Sequence, residues 1–375
     1  MVDVQQFLPL ISISCGVLNV LILKWSDILE AEDVSGIKRR FYHPFLQVII
    51  MFLGQILCLV VYKALFIILR RRGDNSENLN FLTSGNRNFS PSIFILPSLC
   101  DMVASTMLLI ALNFTNASSW QILRSASLIF VSLFGVIYLS QSLKIYHWIG
   151  ISMVIICVII VILTDTVNPV LYDSKAVLTS DLLVICSQIF QALQNVYDEK
   201  YVKSLDITPI QAVGWQGVFG FLQSLFLLIP LHFIKIDPPF NNNSNGSMEF
   251  LPDAFHQFFN SGTLILAHLI FLLSVALHNY AAVAILKSTS SSNRVIIDIF
   301  RILPIYLISV LIEREMLGVS TVIAFLILLS GIFTYKNIVF SQIYVWFLRK
   351  LTRRRYEDIE NEENVISSPA DSADI

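Results

Sequence analysis

Residues 118–165 read SSWQILRSASLIFVSLFGVIYLSQSLKIYHWIGISMVIICVIIVILTD. This stretch contains two apolar runs of about 20 residues, each long enough to cross the hydrocarbon core of a bilayer as a helix. A short polar turn, Ser140 to Lys144, separates the two runs. The whole chain is 55% hydrophobic and 14% charged, whereas soluble domains are about 45–50% apolar and about 25% charged. The sequence therefore predicts an integral membrane protein.

The same pattern recurs along the chain and predicts ten membrane-spanning helices in an all-α multi-pass fold. Pro44 and Pro209 stand where two of them begin, as first-turn prolines commonly do. The first run has no Lys or Arg before it, so we interpret it as a retained span and not as a cleaved signal peptide. The predicted spans are 7–24, 44–69, 92–112, 118–139, 146–165, 181–201, 209–233, 262–286, 292–312 and 317–340.

The two halves of the chain resemble each other in their fourth and fifth spans. Ser118 to Arg124 aligns with Ser292 to Asp298, and in each half an apolar stretch, a polar turn and a glycine follow. Units with an odd number of spans must lie in opposite orientations, which is the inverted-repeat plan of secondary transporters. We therefore predict repeats at 1–165 and 166–340, followed by a disordered tail at 341–375 that is basic and then acidic.

The distribution of charge predicts how the chain lies in the membrane. Lys and Arg are more frequent on the side that holds both termini, so both termini are expected in the cytosol. Two Asn-x-Ser sequons, at Asn242 and Asn245, fall in a long polar loop on the other side. That loop is accessible to glycosylating enzymes, and both asparagines are expected to be modified.

Several segments resemble a known family. They are Asn19–Asp27 (NVLILKWSD), His43–Cys58 (HPFLQVIIMFLGQILC), Leu96–Met102 (LPSLCDM), Ala111–Arg124 (ALNFTNASSWQILR), Ser180–Val202, Ala212–Phe221 and Asn293–Tyr335. In these segments the chain is similar to the drug/metabolite transporter superfamily, and within it to solute carrier family 35, subfamily F. The resemblance implies a multi-pass transporter of endomembranes, with a lysosomal association. Gln55 and Gln141 stand where glutamate is common in this group, so the resemblance does not extend to a coupling carboxylate at these positions.

Asp101, Arg124, Asp298 and Arg301 stand out as ionisable residues well inside predicted spans. A charge at mid-bilayer costs about 2.5–3.5 kcal/mol on insertion scales, so such residues usually face a cavity or a partner. One interpretation is a charged cavity between the repeats, where the arginines meet an anionic or polar solute and an aspartate carries a coupling proton. The alternative is internal pairing of Asp101 with Arg124 and of Asp298 with Arg301, which would only fix helix positions.

Polar side chains in three other spans complete the candidate site. Gln188, Gln191 and Asn195 follow an i, i+3, i+7 spacing and share one helix face. An amide stripe facing lipid is implausible, so it either lines the cavity or forms hydrogen bonds between helices. The remaining candidates for substrate binding are Trp215, His278 and Asn279.

These residues favour a secondary transporter of a small polar or anionic organic solute. The chain has no GxxxxGK[ST] motif for ATP, and a net charge of −2 argues against nucleic acid as a partner. The five cysteines lack metal-ligand spacing, so neither a metal nor a cofactor is expected. The alternatives are a non-transporting scaffold or receptor, and an intramembrane enzyme. Intramembrane enzymes are the weaker alternative, because Tyr197-Asp198 lacks a Gly-x-Gly-Asp partner.

The tail contains a sorting motif. Tyr356-Glu357-Asp358-Ile359 fits the tyrosine-x-x-bulky pattern, with Tyr356 and Ile359 as its recognised positions. Together with the family resemblance, it predicts contact with a clathrin adaptor and a lysosomal location.

Overall fold

The computed structural model describes residues 4–71, 82–115, 117–167, 173–235, 245–312 and 319–338. The protein is an all-α multi-pass membrane protein with one small β-hairpin outside the helices. The helices are α1 (Val4–Ile28), α2 (Pro44–Arg71), α3 (Ile95–Leu112), α4 (Ala117–Arg124), α5 (Ser127–Leu139), α6 (Ile145–Val167), α7 (Ser174–Ser204), α8 (Pro209–Phe233), α9 (Leu251–Asn260), α10 (Gly262–Ser288), α11 (Ser291–Phe300), α12 (Ile302–Ile312) and α13 (Val319–Tyr335).

Within these described ranges, eight helical segments are long and apolar enough to cross a membrane, with α4 and α5 together forming one of them. Their outer surface carries large apolar side chains such as Ile137, Leu163 and Phe226, which are exposed as lipid-facing residues should be. The apolar helix α13 has 17 residues, and α11 and α12 are two separate short helices. The predicted ninth and tenth spans therefore stay predictions.

Two of the predicted spans, 118–139 and 292–312, are interrupted in the structure, although we expected each to be one helix. The first breaks at Ser125 and Ala126, whose amides bond three residues back to the carbonyls of Ile122 and Leu123, at 3.0 and 3.1 Å. The second breaks at Arg301. Pro304, in the first turn of α12, has no amide hydrogen for the carbonyl of residue 300, so the helix cannot run continuously through this point.

Three further elements differ from prediction. Helix α7 is longer than the predicted 181–201 and spans 31 residues, because it continues beyond the apolar stretch at both ends into turns with exposed polar side chains such as Lys175 and Lys203. A hairpin pairs β1 (Glu30–Glu32) antiparallel with β2 (Lys38–Arg40), so acidic residues stand opposite basic ones. Helix α9, in the loop before α10, is also absent from the prediction. Ten residues or fewer in each element give too little periodicity to detect.

Tight helix pairs fix the bundle around α7. Helix α2 packs on α8, α1 on α10, α6 on α13, and α3 and α5 on α7. A Cβ atom at Gly217 of α8 would lie 2.6 Å from the backbone nitrogen of Ile56, and one at Gly150 of α6 would lie 2.8 Å from the carbonyl oxygen of Gly331. These glycines let backbones approach each other closely, as small residues do in membrane helix interfaces.

Candidate functional site

A small cavity of about 20 Å³, with room for about one water molecule, opens where the two interrupted spans meet α7. Small-molecule sites occupy about 300–1,000 Å³, so this cavity must widen before it can hold an organic solute. Residues from both halves of the chain form its wall: Gln121, Arg124, Ser125, Ser127, Gln188, Gln191, Asn195, Val295, Asp298, Ile299 and Arg301.

Arg124 is the last residue of α4 and enters the cavity where the helix breaks. Its guanidinium carbon lies 4.8 Å from the centre of the Trp120 ring, a cation–π contact. The Trp120 ring is itself held by a hydrogen bond of 3.0 Å from its Nε1 to the carbonyl of Leu108. The Nε atom of Arg124 is buried and has no hydrogen-bond partner. The side chain is thus positioned by its neighbours while part of its donor set stays available.

Arg301 occupies the equivalent break between α11 and α12. Its Nη1 lies 3.5 Å from Nε2 of His278, and Nδ1 of His278 donates to the carbonyl of Ser12 at 2.9 Å. A Cβ atom at Gly16 of α1 would lie 2.7 Å from the same Nη1, so this glycine leaves the room that the guanidinium occupies. The Nε atom of Arg301 also lacks a partner. Both breaks therefore present an arginine with a free donor.

Asp298 lies one turn before Arg301 and attracts the arginines around the cavity. Its carboxylate interacts electrostatically with Arg301, Arg294 and Arg124. Neither Asp298–Arg301 nor Asp101–Arg124 is among the ion pairs within 4.0 Å in the part of the chain that the structure describes. Asp298 and Arg301 nevertheless attract each other most strongly among these charges, so the cavity and the internal pairing both stay predictions.

The amide stripe of α7 forms one wall of the cavity. Gln188 donates to the hydroxyl of Ser187 at 2.8 Å, and Gln191 donates to Gln194. The Oδ1 atom of Asn195 is buried without a partner. This wall offers both donors and acceptors to a polar solute.

Four predicted site residues lie away from the cavity wall. Asp101 faces α2, where it accepts a hydrogen bond of 2.9 Å from Gln55. Trp215 packs beside Lys63, whose Nζ is 5.7 Å from the ring centre. His278 stands behind Arg301 and supports it. Asn279, the next residue on α10, is half-buried and is not among the residues that line the cavity.

Sequence reasoning missed two groups of residues. Gln121, Ser125 and Ser127 line the cavity. In this segment the sequence singled out Arg124 alone, because a charged side chain inside a span is costly to insert into the membrane. Asp198 and Arg294 form a buried pair at 3.6 Å. Arg294 is the third residue of the predicted span 292–312, too close to its end for the cost of a buried charge to single it out. In the structure Arg294 is buried within α11.

The remaining predicted sites are outside the cavity. Asn245 is exposed, as glycosylation requires. Asn242, Tyr356 and Ile359 lie outside the described residues. Within the described ranges, no group of three or more His, Cys, Asp or Glu residues lies close enough to hold a metal ion.

Comparison with known proteins identifies the family. The profile of the family described as "Solute carrier family 35" (SLC35F) matches residues 10–235. The human protein "Solute carrier family 35 member F6" is 35% identical over 339 residues, which cover 89% of each chain. The chain belongs to solute carrier family 35, subfamily F. The resemblance predicted from the sequence is confirmed.

Other relatives of this solute carrier family 35 protein extend the comparison. The orangutan (Pongo abelii) member F6 is also 35% identical over 89% of each chain. The "Chloroquine resistance transporter" of Toxoplasma gondii is 24% identical over 153 residues, 41% of this chain and 16% of that protein. A solved structure titled "Crystal structure of protein" superposes with a TM-score of 0.54, covering 90% of this chain and 99% of the other at 11% identity. The structural likeness concerns the fold alone.

Proposed function

We propose that this protein is a secondary, ATP-independent transporter of a small polar or anionic organic solute. In this proposal α11 with α12 forms the ninth span and α13 the tenth. The chain then comprises two inverted five-helix repeats that open the cavity alternately to either side of the membrane.

The position of the cavity carries the proposal. Helices α4 and α11 each end at or next to an arginine that lines the same cavity, and in the proposed topology they enter from opposite sides of the membrane. Discontinuous helices meeting at a midplane site between repeats are characteristic of secondary transporters, because the broken ends supply unpaired polar groups for the solute.

The charges at the cavity favour a polar or anionic solute. Arg124 and Arg301 carry two positive charges against the single negative charge of Asp298. A guanidinium with free donors binds carboxylate or phosphate groups well, since its planar fork matches two oxygens at once. The amides of the α7 wall would then bind hydroxyl or carbonyl groups of the same solute.

Family membership supports the same conclusion. Solute carrier family 35 is a family of membrane transporters and is generally non-enzymatic.

We extend the proposal to a lysosomal or related endomembrane location. The proposal also includes cytosolic termini, glycosylation of Asn242 and Asn245, and contact of the Tyr356–Ile359 motif with a clathrin adaptor. Glycosidase digestion followed by electrophoresis checks the lumenal position of the sequons.

A binding screen followed by flux measurement tests the proposal. Purified full-length protein is first screened for thermal stabilisation by nucleotide sugars, nucleotides, organic acids and amino acids, since a ligand that binds the folded state raises its melting temperature. Each compound that stabilises the protein is then offered to proteoliposomes without ATP. The proposal predicts saturable flux. Stabilisation without flux would point to a receptor, and chemical conversion to an enzyme, and either result would contradict it.

Arg124→Ala is the sharpest variant for this screen. We expect loss of solute stabilisation and at least a tenfold loss of flux, because a charge-assisted hydrogen bond contributes about 1.5–3 kcal/mol. Arg70→Ala is the matched control, since Arg70 is exposed at the end of α2 and should leave both readouts unchanged. Unchanged flux in Arg124→Ala would contradict the role of the cavity. A lowered melting temperature of the unliganded variant would show that Arg124 is structural.

A further inference from the structure

A second polar cluster lies one helical turn along α7 from the cavity. Asp198 is fully buried at its centre. One carboxylate oxygen, Oδ1, accepts a hydrogen bond from Gln216 of α8, and the other, Oδ2, lies 3.6 Å from Nη1 of Arg294 on α11. Asn195, three residues before Asp198, lines the cavity wall, so the two sites are neighbours.

A second carboxylate belongs to the same cluster. Asp101 of α3 is buried and accepts hydrogen bonds from Gln55 at 2.9 Å and from Ser105 at 3.3 Å. It repels Asp198 and is attracted to Arg294. Two carboxylates thus share one guanidinium, and the fully ionised cluster holds one excess negative charge. The neighbouring cavity holds one excess positive charge, from Arg124 and Arg301 against Asp298, so binding of a cation in the cluster changes the charge balance between the two sites.

Unused hydrogen-bonding atoms show where a cation would act. Oδ2 of Asp198 is buried without a hydrogen-bond partner, and so are Nε and Nη1 of Arg294, a residue that is only 5% exposed. The separation of 3.6 Å permits an ion pair but is longer than a hydrogen bond. Oδ2 is therefore both negatively charged and free to take a proton.

We propose that Asp198 and Arg294 form a proton-binding switch that couples transport to a proton gradient. The inference rests on the proposed transport function, because it requires that α11 forms part of the wall around the transported solute. A hydronium ion gives its proton to Oδ2 of Asp198, where an O–H bond forms, and leaves as water. The neutral carboxyl no longer pairs with Arg294. Return of the proton to water on the other side restores the pair.

Helix α11 connects the switch to the cavity. It bears Arg294 in the cluster, and Asp298, four residues further, on the cavity wall, with Arg301 at its end. At its start, the amide of Ser291 donates to Oε2 of Glu199 at 2.7 Å. When Asp198 is protonated, Arg294 is attracted only by Asp101 and by Asp298. The half-helix then shifts toward the cavity, and the cavity wall moves with it.

Other charged and titratable groups around Asp198 are few and engaged. Helix α3 contributes Asp101 and Cys100, α8 contributes the neutral Gln216, and α11 contributes Arg294. On α7 itself, Glu199 is paired with Lys203 at 2.7 Å, and Asp181 lies 17 residues before Asp198, about 25 Å along the helix. Tyr197, next to Asp198, packs against Tyr138 of α5, with 5.5 Å between the ring centres. Four further groups have their contacts away from Asp198: Arg124 on α4, His147 and Asp165 on α6, and His278 on α10. The switch is therefore assigned to Asp198.

Infrared difference spectroscopy tests proton binding directly, with protons as the only probe. Full-length protein in lipid nanodiscs is taken from neutral to acidic pH. We expect a protonated-carboxyl band that Asp198→Asn removes and that Asp198→Glu retains at a shifted frequency. Asp173→Asn is the control, since Asp173 is exposed at the start of the same helix, and it should keep the band. A spectrum unchanged in Asp198→Asn would overturn the proposal.

Hydrogen–deuterium exchange tests the link to α11. After correction for intrinsic rates, residues 291–300 should exchange severalfold faster at acidic than at neutral pH in the wild type. In Asp198→Asn they should exchange fast at both values, and in Asp173→Asn they should behave as in the wild type. Equal exchange of wild type and Asp198→Asn at neutral pH would overturn the coupling. Neither measurement requires a transported solute, so failure of the proposed function is detected separately by the flux experiment.

Discussion

His43 and Glu249 are almost fully buried, at 3% and 1% exposure, and Nδ1 of the histidine lies 2.6 Å from Oε1 of the glutamate. The pair ties the start of α2 to the segment before α9. The ring of Phe41 packs edge-on against His43, which excludes water from the contact. At the scale of single residues, this contact holds the loop between α8 and α10 on the bundle.

Replacing His43 by alanine should destabilise the protein. The change leaves a buried carboxylate without its donor, which costs about 1–3 kcal/mol. Thermal unfolding in detergent measures the loss. His256→Ala is the control, since His256 is exposed on α9, and it should change stability by less than about 0.5 kcal/mol. Equal melting temperatures for the two variants would contradict a stabilising role of the buried pair.

The residues of the candidate site differ in how far the sequence predicts them. Arg124, Asp298 and Arg301 stand out because a charge inside a span is costly. The same rule also selects Asp101, although this residue faces α2 and not the cavity. Rotation of a helix decides which wall a side chain joins, and hydropathy contains no information about rotation. Asp198 and Arg294 pair only because α7 and α11 cross.

At the scale of helices, the contact between α2 and α8 depends on glycine. Gly217 faces the backbone of α2, where a Cβ atom would lie 2.6 Å from the nitrogen of Ile56 and 2.7 Å from Cβ of Gln55. The neighbouring Gly214 meets Leu59 in the same way. Backbone atoms cannot move aside as the end of a flexible side chain can. A methyl group at position 217 would therefore clash with α2.

Gly217→Ala should therefore separate α2 from α8 and destabilise the protein by about 1–3 kcal/mol, the usual cost of overpacking. The yield of folded protein and its melting temperature measure the effect. Gly262→Ala is the matched control, because no atom lies within 4 Å of a Cβ atom built there. A Gly217→Ala variant as stable as Gly262→Ala would show that the helices can move apart without cost.

Helix positions were largely predictable, whereas their interruptions were not. The eight segments long and apolar enough to cross a membrane lie close to the predicted bounds, since about 20 apolar residues are needed for each crossing. The breaks at Ser125 and Arg301 occur inside predicted spans, beside the ionisable residues that the spans contain. Pro304 is a local signal for the second break, but Ser125-Ala126 contains neither proline nor glycine. The hairpin of three-residue strands has no detectable pattern.

At the scale of the whole molecule, one cavity receives residues from both halves of the chain. Gln121, Arg124, Ser125 and Ser127 come from the first half, and the rest of the wall comes from the second. Each half contributes a broken span, since α4 and α11 each end at or next to an arginine of the wall. The proposed inverted repeats and alternating access account for this arrangement with a single symmetry.

Cysteine labelling at Ser125 tests alternating access most directly. Ser125 is buried, lines the cavity, and its hydroxyl has no hydrogen-bond partner, so Ser125→Cys should fold normally. A small membrane-impermeant thiol reagent is added to one side or the other of sealed, oriented vesicles, with wild-type protein as the background. The account predicts labelling of Cys at position 125 from either side, in proportions that a transported solute shifts. Labelling from one side alone under every condition would contradict it.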